Sequence, residues 1–242
     1  MSDELSTQVP IGREDLPPMT ETRRPLRADF AAWLDRIDDE LVGGALLVSE
    51  ALPTVTAAFL SGDRAAIPYT RAMASDVSDR VRYVEEQGFL LLAREAPVAS
   101  DLRRLVSILR LITAVERSGA LVRHVAELLE RVDPGQLPAP VRQQVDELGR
   151  RSSDVFHRGV TAWRQRDGLA LSELDTADEA VDVLAQRLLG HAELLTDAAD
   201  LIALGLLARY WERIADHGVS FAQHSTFAVT GERVEVGSPN TP

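Results

Sequence analysis

The chain has 242 residues, with 38 acidic against 26 basic side chains and a formal net charge of −12. This acidity argues against a protein that holds nucleic acid by its phosphates, because such binding requires excess positive charge. All 26 basic residues are arginine and cysteine is absent, which excludes lysine Schiff bases, disulfides and cysteine-ligated metals. No stretch approaches the length of a membrane span and the polar N-terminus is unlike a signal peptide, so we predict a soluble, cytoplasmic protein.

Apolar residues recur at helical spacing through most of the chain. The first predicted helix carries Phe30, Leu34 and Ile37 on one face. Pro53 is expected to kink this helix or to end it. Long runs in which β-branched and polar residues alternate are missing, so the predicted fold class is all-α. Further helices are predicted over about 63–94, 100–131, 139–167, 169–195 and 198–228.

Composition divides the chain into helical units, a linker and two tails. Segments 1–24 and 233–242 are polar and unpatterned, and we predict that both are disordered. A proline- and glycine-rich linker at 133–140 separates a first three-helix unit, 25–132, from a second at 141–232. The predicted architecture is therefore two tandem three-helix bundles.

The two units share a pattern that indicates an internal repeat. One constant shift places Glu116-Arg117 on Glu212-Arg213 and also Ser100-Asp101 on Thr196-Asp197. Ser100 or Asp101 is predicted to cap the N-terminus of the third helix, because both side chains accept hydrogen bonds from free backbone N–H groups. A duplicated three-helix unit accounts for both alignments.

Acidic residues are paired one helical turn apart in the second unit. Glu212 and Asp216 share a helix face, and so do Asp178 and Asp182 on the preceding helix. If these helices are neighbours, their carboxylates converge and repel one another unless a hard cation lies between them. In a chain this acidic roughly six such pairs are expected by chance, so solvated surface charge is the alternative.

Three segments resemble signature sequences of the PhoU family. They are PVASDLR at 97–103, ERSG at 116–119 and ERIADHGV at 212–219, and the end FAVTGE at 227–232 is also similar. The family's own forms are a PxAxDLR entry and an ERIGD motif in each three-helix repeat. The resemblance covers about residues 25–232 and so most of the chain.

The resemblance implies a fold and a function together. The fold is two three-helix bundles side by side, with metal clusters at the acidic motifs and no catalytic turnover. Members regulate phosphate uptake and restrain the phosphate-starvation response when phosphate is plentiful. Their partners are the ATPase subunit of the phosphate ABC transporter and a sensor histidine kinase. A homodimer is implied too, with membrane association only through the partners.

The second repeat keeps the family's acidic signature. Asp178 and Asp182 match its DxxxD motif, while Glu212 and Asp216 match ERIGD. The resemblance therefore implies a metal site at these four residues, with iron, manganese, magnesium or zinc as candidates.

The first repeat departs from that signature. Ala120 stands where the second acid of ERIGD belongs, and the two middle-helix acids fall on Ala74 and Ser78. We therefore expect the first metal site to be weakened or lost, and Glu116 to pair with an arginine instead. The other nearby acids are Asp76 and Asp79, which are out of register.

Two other functions are compatible with an acidic helical bundle. One is a carboxylate-bridged di-metal enzyme, although the Glu-x-x-His motif of di-iron oxidases is absent. The other is a metal-free helical adaptor whose acidic pairs are merely solvated. His217 is expected to be a packed or exposed histidine rather than a ligand, and Trp33, Trp163 and Trp211 are expected in the core or in an interface.

Overall fold

The computed structural model describes residues 23–95 and 97–234, and all regular structure in these ranges is helical. The predicted all-α class is confirmed. Each predicted helix is present, with ends displaced by only a few residues except at the first helix. The helices are α1 (Arg23–Ser61), α2 (Ala66–Glu95), α3 (Ala99–Glu127), α4 (Ala139–Gln165), α5 (Leu171–Gly190) and α6 (Ala198–Thr230).

The helices form two three-helix bundles that lie side by side. Helices α1, α2 and α3 pack on one another, and α4, α5 and α6 do the same. The bundles meet where α1 packs on α4 and α3 packs on α6. Along α1, Asp38 contacts Trp163 and Ser49 contacts His157 of α4, so these two helices run antiparallel. The predicted pair of three-helix bundles is confirmed.

The predicted tails fall mostly outside the described residues. Residues 1–22 and 235–242 are not described, whereas α1 already begins at Arg23. The predicted linker region contains the 3-10 turn Pro134–Gln136, in which Asp133 accepts a hydrogen bond from the Gly135 N–H at 3.0 Å.

Pro53 does not end the first helix, which was one of the two outcomes expected from the sequence. Helix α1 continues for eight further residues to Ser61. Pro53 is exposed, while Leu52 and Val55 beside it are fully buried. Burial of the apolar face on both sides of the proline keeps the helix continuous.

Helix α1 is also more apolar than the sequence reading allowed. An 18-residue window within Asp29–Ser61 has a mean hydropathy of 1.5, which by length and composition alone is enough to cross a membrane. The expectation that no segment approaches this length is therefore wrong. In the structure 56% of that window is buried, because α1 packs against α2, α3 and α4. Its hydropathy is that of a core helix.

The predicted cap of α3 is wrong as well. The N-cap residue is Val98, and no side chain caps the helix. Ser100 and Asp101 lie inside the first turn, where the Asp101 carboxylate faces the positive end of the helix dipole. In the second repeat Asp197 does cap α6, accepting hydrogen bonds from Ala199 N–H at 2.7 Å and Asp200 N–H at 3.3 Å.

Polar contacts connect the two bundles at buried and partly buried positions. Trp163 Nε1 donates to Asp38 Oδ1 at 2.7 Å, and Arg104 of α3 forms an ion pair with the same carboxylate. His217 is buried, with its Nδ1 2.8 Å from Ser118 Oγ. The predicted packed histidine is thus present. Trp211 is fully buried, Trp163 is 5% exposed and Trp33 packs half-buried against the core, as expected.

Two glycines set the closest approach of α4 and α6. A Cβ atom added to Gly159 would lie 2.0 Å from the Gly218 carbonyl oxygen, and one added to Gly218 would lie 2.6 Å from Phe156 Cα. Both contacts are with backbone, which cannot rotate away. Any larger residue at either position forces the two helices apart.

The Gly159→Ala variant should therefore lose stability. We expect its free energy of unfolding to fall by about 1–3 kcal/mol, since the methyl group overpacks a backbone contact. Urea denaturation measures this. The control is Gly190→Ala, where a Cβ meets nothing within 4 Å, and we expect it to be neutral or to stabilise by up to about 1 kcal/mol. Equal stability of Gly159→Ala and the wild type would contradict the close crossing.

Candidate functional site

The structure brings the four acidic residues of the second repeat together between α5 and α6. Asp178 and Asp182 lie on α5, and Glu212 and Asp216 lie on α6. Asp216 is close enough to Asp178 for its charge to raise the pKa of that carboxyl, and Arg209 is close enough to Asp182 to act to lower the pKa there. These two pairings run in opposite directions along the chain, so α5 and α6 are antiparallel. We call this set of carboxylates the acidic cleft.

Asp178 is the most perturbed group of the acidic cleft. Burial, followed by repulsion from Asp216 and Asp182, raises the pKa of its carboxyl from 3.8 to about 7. Its Oδ1 atom is buried without a hydrogen-bond partner in the described part of the chain. Burial also raises the pKa of Asp182, and burial with repulsion from Glu212 raises that of Asp216. The cleft is therefore short of positive charge.

Arg209 supplies part of the missing charge, and the sequence analysis did not identify it. Its guanidinium donates to the Glu212 carboxylate one turn along α6. It also acts to lower the pKa values of Asp182 and Asp216, against the effect of burial. The i, i+3 spacing of Arg209 and Glu212 was the available signal. Because Arg209 is 54% exposed, solvent screens much of its effect.

The donor chemistry of the acidic cleft suits a hard cation. Carboxylate oxygens are the ligands preferred by magnesium and manganese, and the unpartnered Asp178 oxygen is available as a ligand. Within residues 23–95 and 97–234, however, no three His, Cys, Asp or Glu side chains are grouped closely enough to hold a metal. The cleft thus has suitable donors without a preformed coordination site, and its metal stays a prediction.

The corresponding position of the first repeat lacks such a cleft. Here α2 meets α3 through apolar contact, with a Cβ at Gly119 placed 3.4 Å from Val77. Asp76 and Asp79 instead line a groove that also contains Glu40 of α1, so they do not face α3. Glu116 is exposed and forms no ion pair among the described residues, so its expected pairing with arginine is not found. The acidic residues of the first repeat are not assembled.

A serine–histidine pair in a separate groove was also absent from the sequence analysis. Ser49 Oγ of α1 lies 3.0 Å from His157 Nδ1 of α4, in a groove between those helices. Nucleophilic catalysis needs backbone or side-chain donors for an oxyanion as well. Both residues lie well inside long helices, where backbone N–H groups are already bonded. This pair therefore joins the two bundles rather than forming a hydrolytic site.

Comparison with known proteins places the chain in a family. A PhoU domain model matches residues 44–129. The chain is 30% identical over 210 residues to the phosphate-specific transport system accessory protein PhoU homolog 1 of Mycobacterium leprae, covering 85% of this chain and 95% of that protein. The chain belongs to the PhoU family. It is 29% identical, again over 210 residues, to PhoU homolog 2 of Mycobacterium tuberculosis, covering 85% of this chain and 99% of that protein.

Two crystal structures of PhoU proteins share the fold. The PhoU structure from Pseudomonas aeruginosa superposes with a TM-score of 0.78 at 21% identity and covers 84% of this chain and all of that one. The phosphate transport system regulatory protein PhoU from Streptococcus pneumoniae gives 0.76 at 20% identity, with 85% and 99% coverage. At these identities the likeness establishes the PhoU fold of two three-helix bundles.

Neutralising Asp178 should stabilise this PhoU protein in a pH-dependent manner. The folded chain keeps the Asp178 proton up to about pH 7, whereas the unfolded chain loses it near 3.8. The folded state therefore loses stability relative to the unfolded state as pH rises through this interval. In Asp178→Asn this loss is absent, so we expect the variant to exceed the wild type by roughly 2 kcal/mol at about pH 8 and little at about pH 4.

Urea denaturation of both proteins across this pH range measures the difference. If the difference between the two unfolding free energies stays constant with pH, the pKa of Asp178 is not raised in the folded protein.

Proposed function

We propose that this chain is a non-enzymatic regulator of phosphate uptake and of phosphate-starvation signalling. The observation that carries the proposal is the alignment with the Mycobacterium leprae protein named as an accessory protein of phosphate-specific transport, which spans 95% of that protein. The described site supports a non-catalytic role, because the buried His217 is hydrogen-bonded to Ser118. His217 is thus unavailable as an acid or base at the acidic cleft.

The proposed partners are the ATPase subunit of the phosphate ABC transporter and a sensor histidine kinase. The protein would act in the cytoplasm as a homodimer and repress the starvation response when phosphate is plentiful. It would reach the membrane only through these partners. The supporting feature is the extent of exposed helix in both bundles, which offers surfaces for protein partners.

Deleting the gene tests this role directly. In cells grown with abundant phosphate, we expect loss of the protein to switch on phosphate-starvation genes, since the repressing partner is missing. Transcript levels of the transporter genes provide the measurement, and restoring the wild-type gene is the control. Unchanged transcripts at both high and low phosphate would refute a regulatory role.

We propose further that the acidic cleft is the cation site of this chain. Asp178, Asp182, Glu212 and Asp216 would hold the ion through carboxylate oxygens, and its charge would relieve the repulsion that raises the pKa values of Asp178 and Asp216. The first repeat would bind no ion, because its α2–α3 contact is apolar.

Metal analysis of the purified protein tests the cation site. We expect bound iron, manganese, magnesium or zinc in the wild type and its loss in a Glu212→Gln/Asp216→Asn double variant. An Asp76→Asn/Asp79→Asn double variant is the matched control in the first repeat, and its metal content should equal that of the wild type. Absence of metal from the wild type would leave the cleft a charged groove only.

A further inference from the structure

A pocket between the two bundles lies where two of the family-like segments meet, far from the acidic cleft. The segment PVASDLR at 97–103 leads into α3, and FAVTGE at 227–232 ends α6. The segments touch, because Arg103 Nε donates to the Ala228 carbonyl oxygen at 3.4 Å. The pocket beside this contact has a volume of about 230 Å³ and is lined by residues of α1, α3 and α6 and of the C-terminal end of α4.

The inner wall of the pocket consists of groups that already have partners. Asp38 accepts hydrogen bonds from Trp163 Nε1 at 2.7 Å and from Arg104 Nε at 2.9 Å. Arg104 also donates to Asp35 at 2.6 Å. These side chains neutralise and satisfy one another. They therefore shape the pocket without offering an unpaired charge to a ligand.

Two oppositely charged side chains in the same pocket have no such partners. Arg166 and Asp101 both line it, yet within residues 23–95 and 97–234 neither forms an ion pair or a side-chain hydrogen bond. Their charged atoms are thus more than 4.0 Å apart, the limit for an ion pair. The Ser100 hydroxyl lines the pocket beside them. A ligand that accepts from Arg166 and donates to Asp101 would join the two.

Unusual backbone conformations support both sides of this opening. The non-glycine residues with positive φ in the described part of the chain are Ala99, at 51°, and Arg166, at 54°. Ala99 directly precedes the lining residues Ser100 and Asp101, and Arg166 lines the pocket itself. A Cβ atom makes this conformation uncommon, and glycine is the usual residue just beyond a helix such as α4. An arginine thus occupies a position where glycine would be less strained.

Comparison of the repeats shows that the Asp101 carboxylate is not used as a helix cap. At the equivalent position of the second repeat, Asp197 caps α6 by accepting from the Ala199 and Asp200 N–H groups. Asp101 lies within the first turn of α3, whose N-cap residue is Val98 and whose cap has no side-chain hydrogen bond. Its oxygens can therefore accept a hydrogen bond from a ligand.

The separated charges require a ligand with both acceptor and donor atoms. Inorganic phosphate has both near neutral pH, because each of its ionic forms there keeps an O–H group beside its charged oxygens. Sulfate offers acceptor oxygens alone. A guanidinium group matches the spacing of phosphate oxygens, and a carboxylate accepts a strong hydrogen bond from a P–OH group.

We propose that this pocket binds inorganic phosphate. Arg166 donates to the phosphate oxygens, Asp101 accepts from the P–OH group, and the Ser100 hydroxyl donates to a remaining oxygen. The choice of phosphate rests on the proposed function, since a regulator of phosphate uptake has to detect phosphate. Because Arg166 follows α4 and Asp101 belongs to α3, the bound ion connects the second bundle to the first.

Isothermal titration of the full chain with inorganic phosphate tests the proposal. EDTA removes metal ions, so that phosphate cannot bind through a cation in the acidic cleft, and sodium chloride keeps the ionic strength constant. We expect saturable binding with a Kd of about 1 mM, and at least about tenfold weaker binding of sulfate. Arg166→Gln should raise the Kd for phosphate at least about tenfold. Asp101→Asn should bring the two anions within about twofold of each other, since an amide also donates to sulfate.

Two variants separate the loss of a ligand contact from other effects. Arg164→Gln removes an exposed arginine of α4 that does not line the pocket, so the Kd should stay within about twofold of the wild type. Arg166→Gly relieves the left-handed backbone, so Tm should equal or exceed that of the wild type although phosphate binding is lost.

Three results would overturn the proposal. They are no saturable binding up to about 20 mM phosphate, equal binding of sulfate by the wild type, and equal weakening by Arg164→Gln and Arg166→Gln. Saturation by glycine but not by phosphate would also overturn it and would assign the pocket to a zwitterion. If phosphate fails to bind while deletion of the gene still switches on the starvation genes, this site is refuted and the regulatory role is not.

Discussion

The close backbone contact between α4 and α6 is the constraint on which the second bundle depends. Helix α6 packs against α3, α4 and α5, so it belongs both to its own bundle and to the junction between bundles. Gly159 and Gly218 allow its backbone to approach α4 directly, which fixes its position and rotation. That rotation buries Trp211 and directs Glu212 and Asp216 toward α5. Repelling carboxylates are held together because packing on the opposite side of α6 opposes their separation.

Helix number, helix order and pairing into two bundles could be predicted from the sequence. Apolar residues at a 3.6-residue period need only local spacing, and the break at Gly62 and the linker near Pro134 are marked by residues with restricted roles. Whether α1 ends at Pro53 or continues through it could not be predicted in this way. It depends on which side of the helix faces solvent, and that is known only once the neighbouring helices are placed.

The residues of the acidic cleft could be predicted from the sequence. The pKa shifts of its carboxyl groups and the contribution of Arg209 could not. Spacing placed Asp178 with Asp182 and Glu212 with Asp216, and the two pairs were expected to face each other if their helices are neighbours. Burial decides how strongly the carboxyl of Asp178 is perturbed, and burial is a property of the assembled helices. The same limit applies to Asp76 and Asp79, since only packing shows that they face α1. Arg209 was missed because the sequence does not distinguish an i, i+3 arginine–glutamate pair at an exposed surface from one in a cleft.

Because the two bundles are antiparallel and carry different acidic residues, the two ends of the molecule differ. Duplication of one unit relates the bundles by an approximate twofold axis, so the turn between α2 and α3 lies at the opposite end from the turn between α5 and α6. If the repeats were identical, a half rotation about this axis would present the same surface to a partner protein. Since only the second repeat carries all four acids, that half rotation exchanges surfaces of different charge, and the two ends of the molecule are not equivalent.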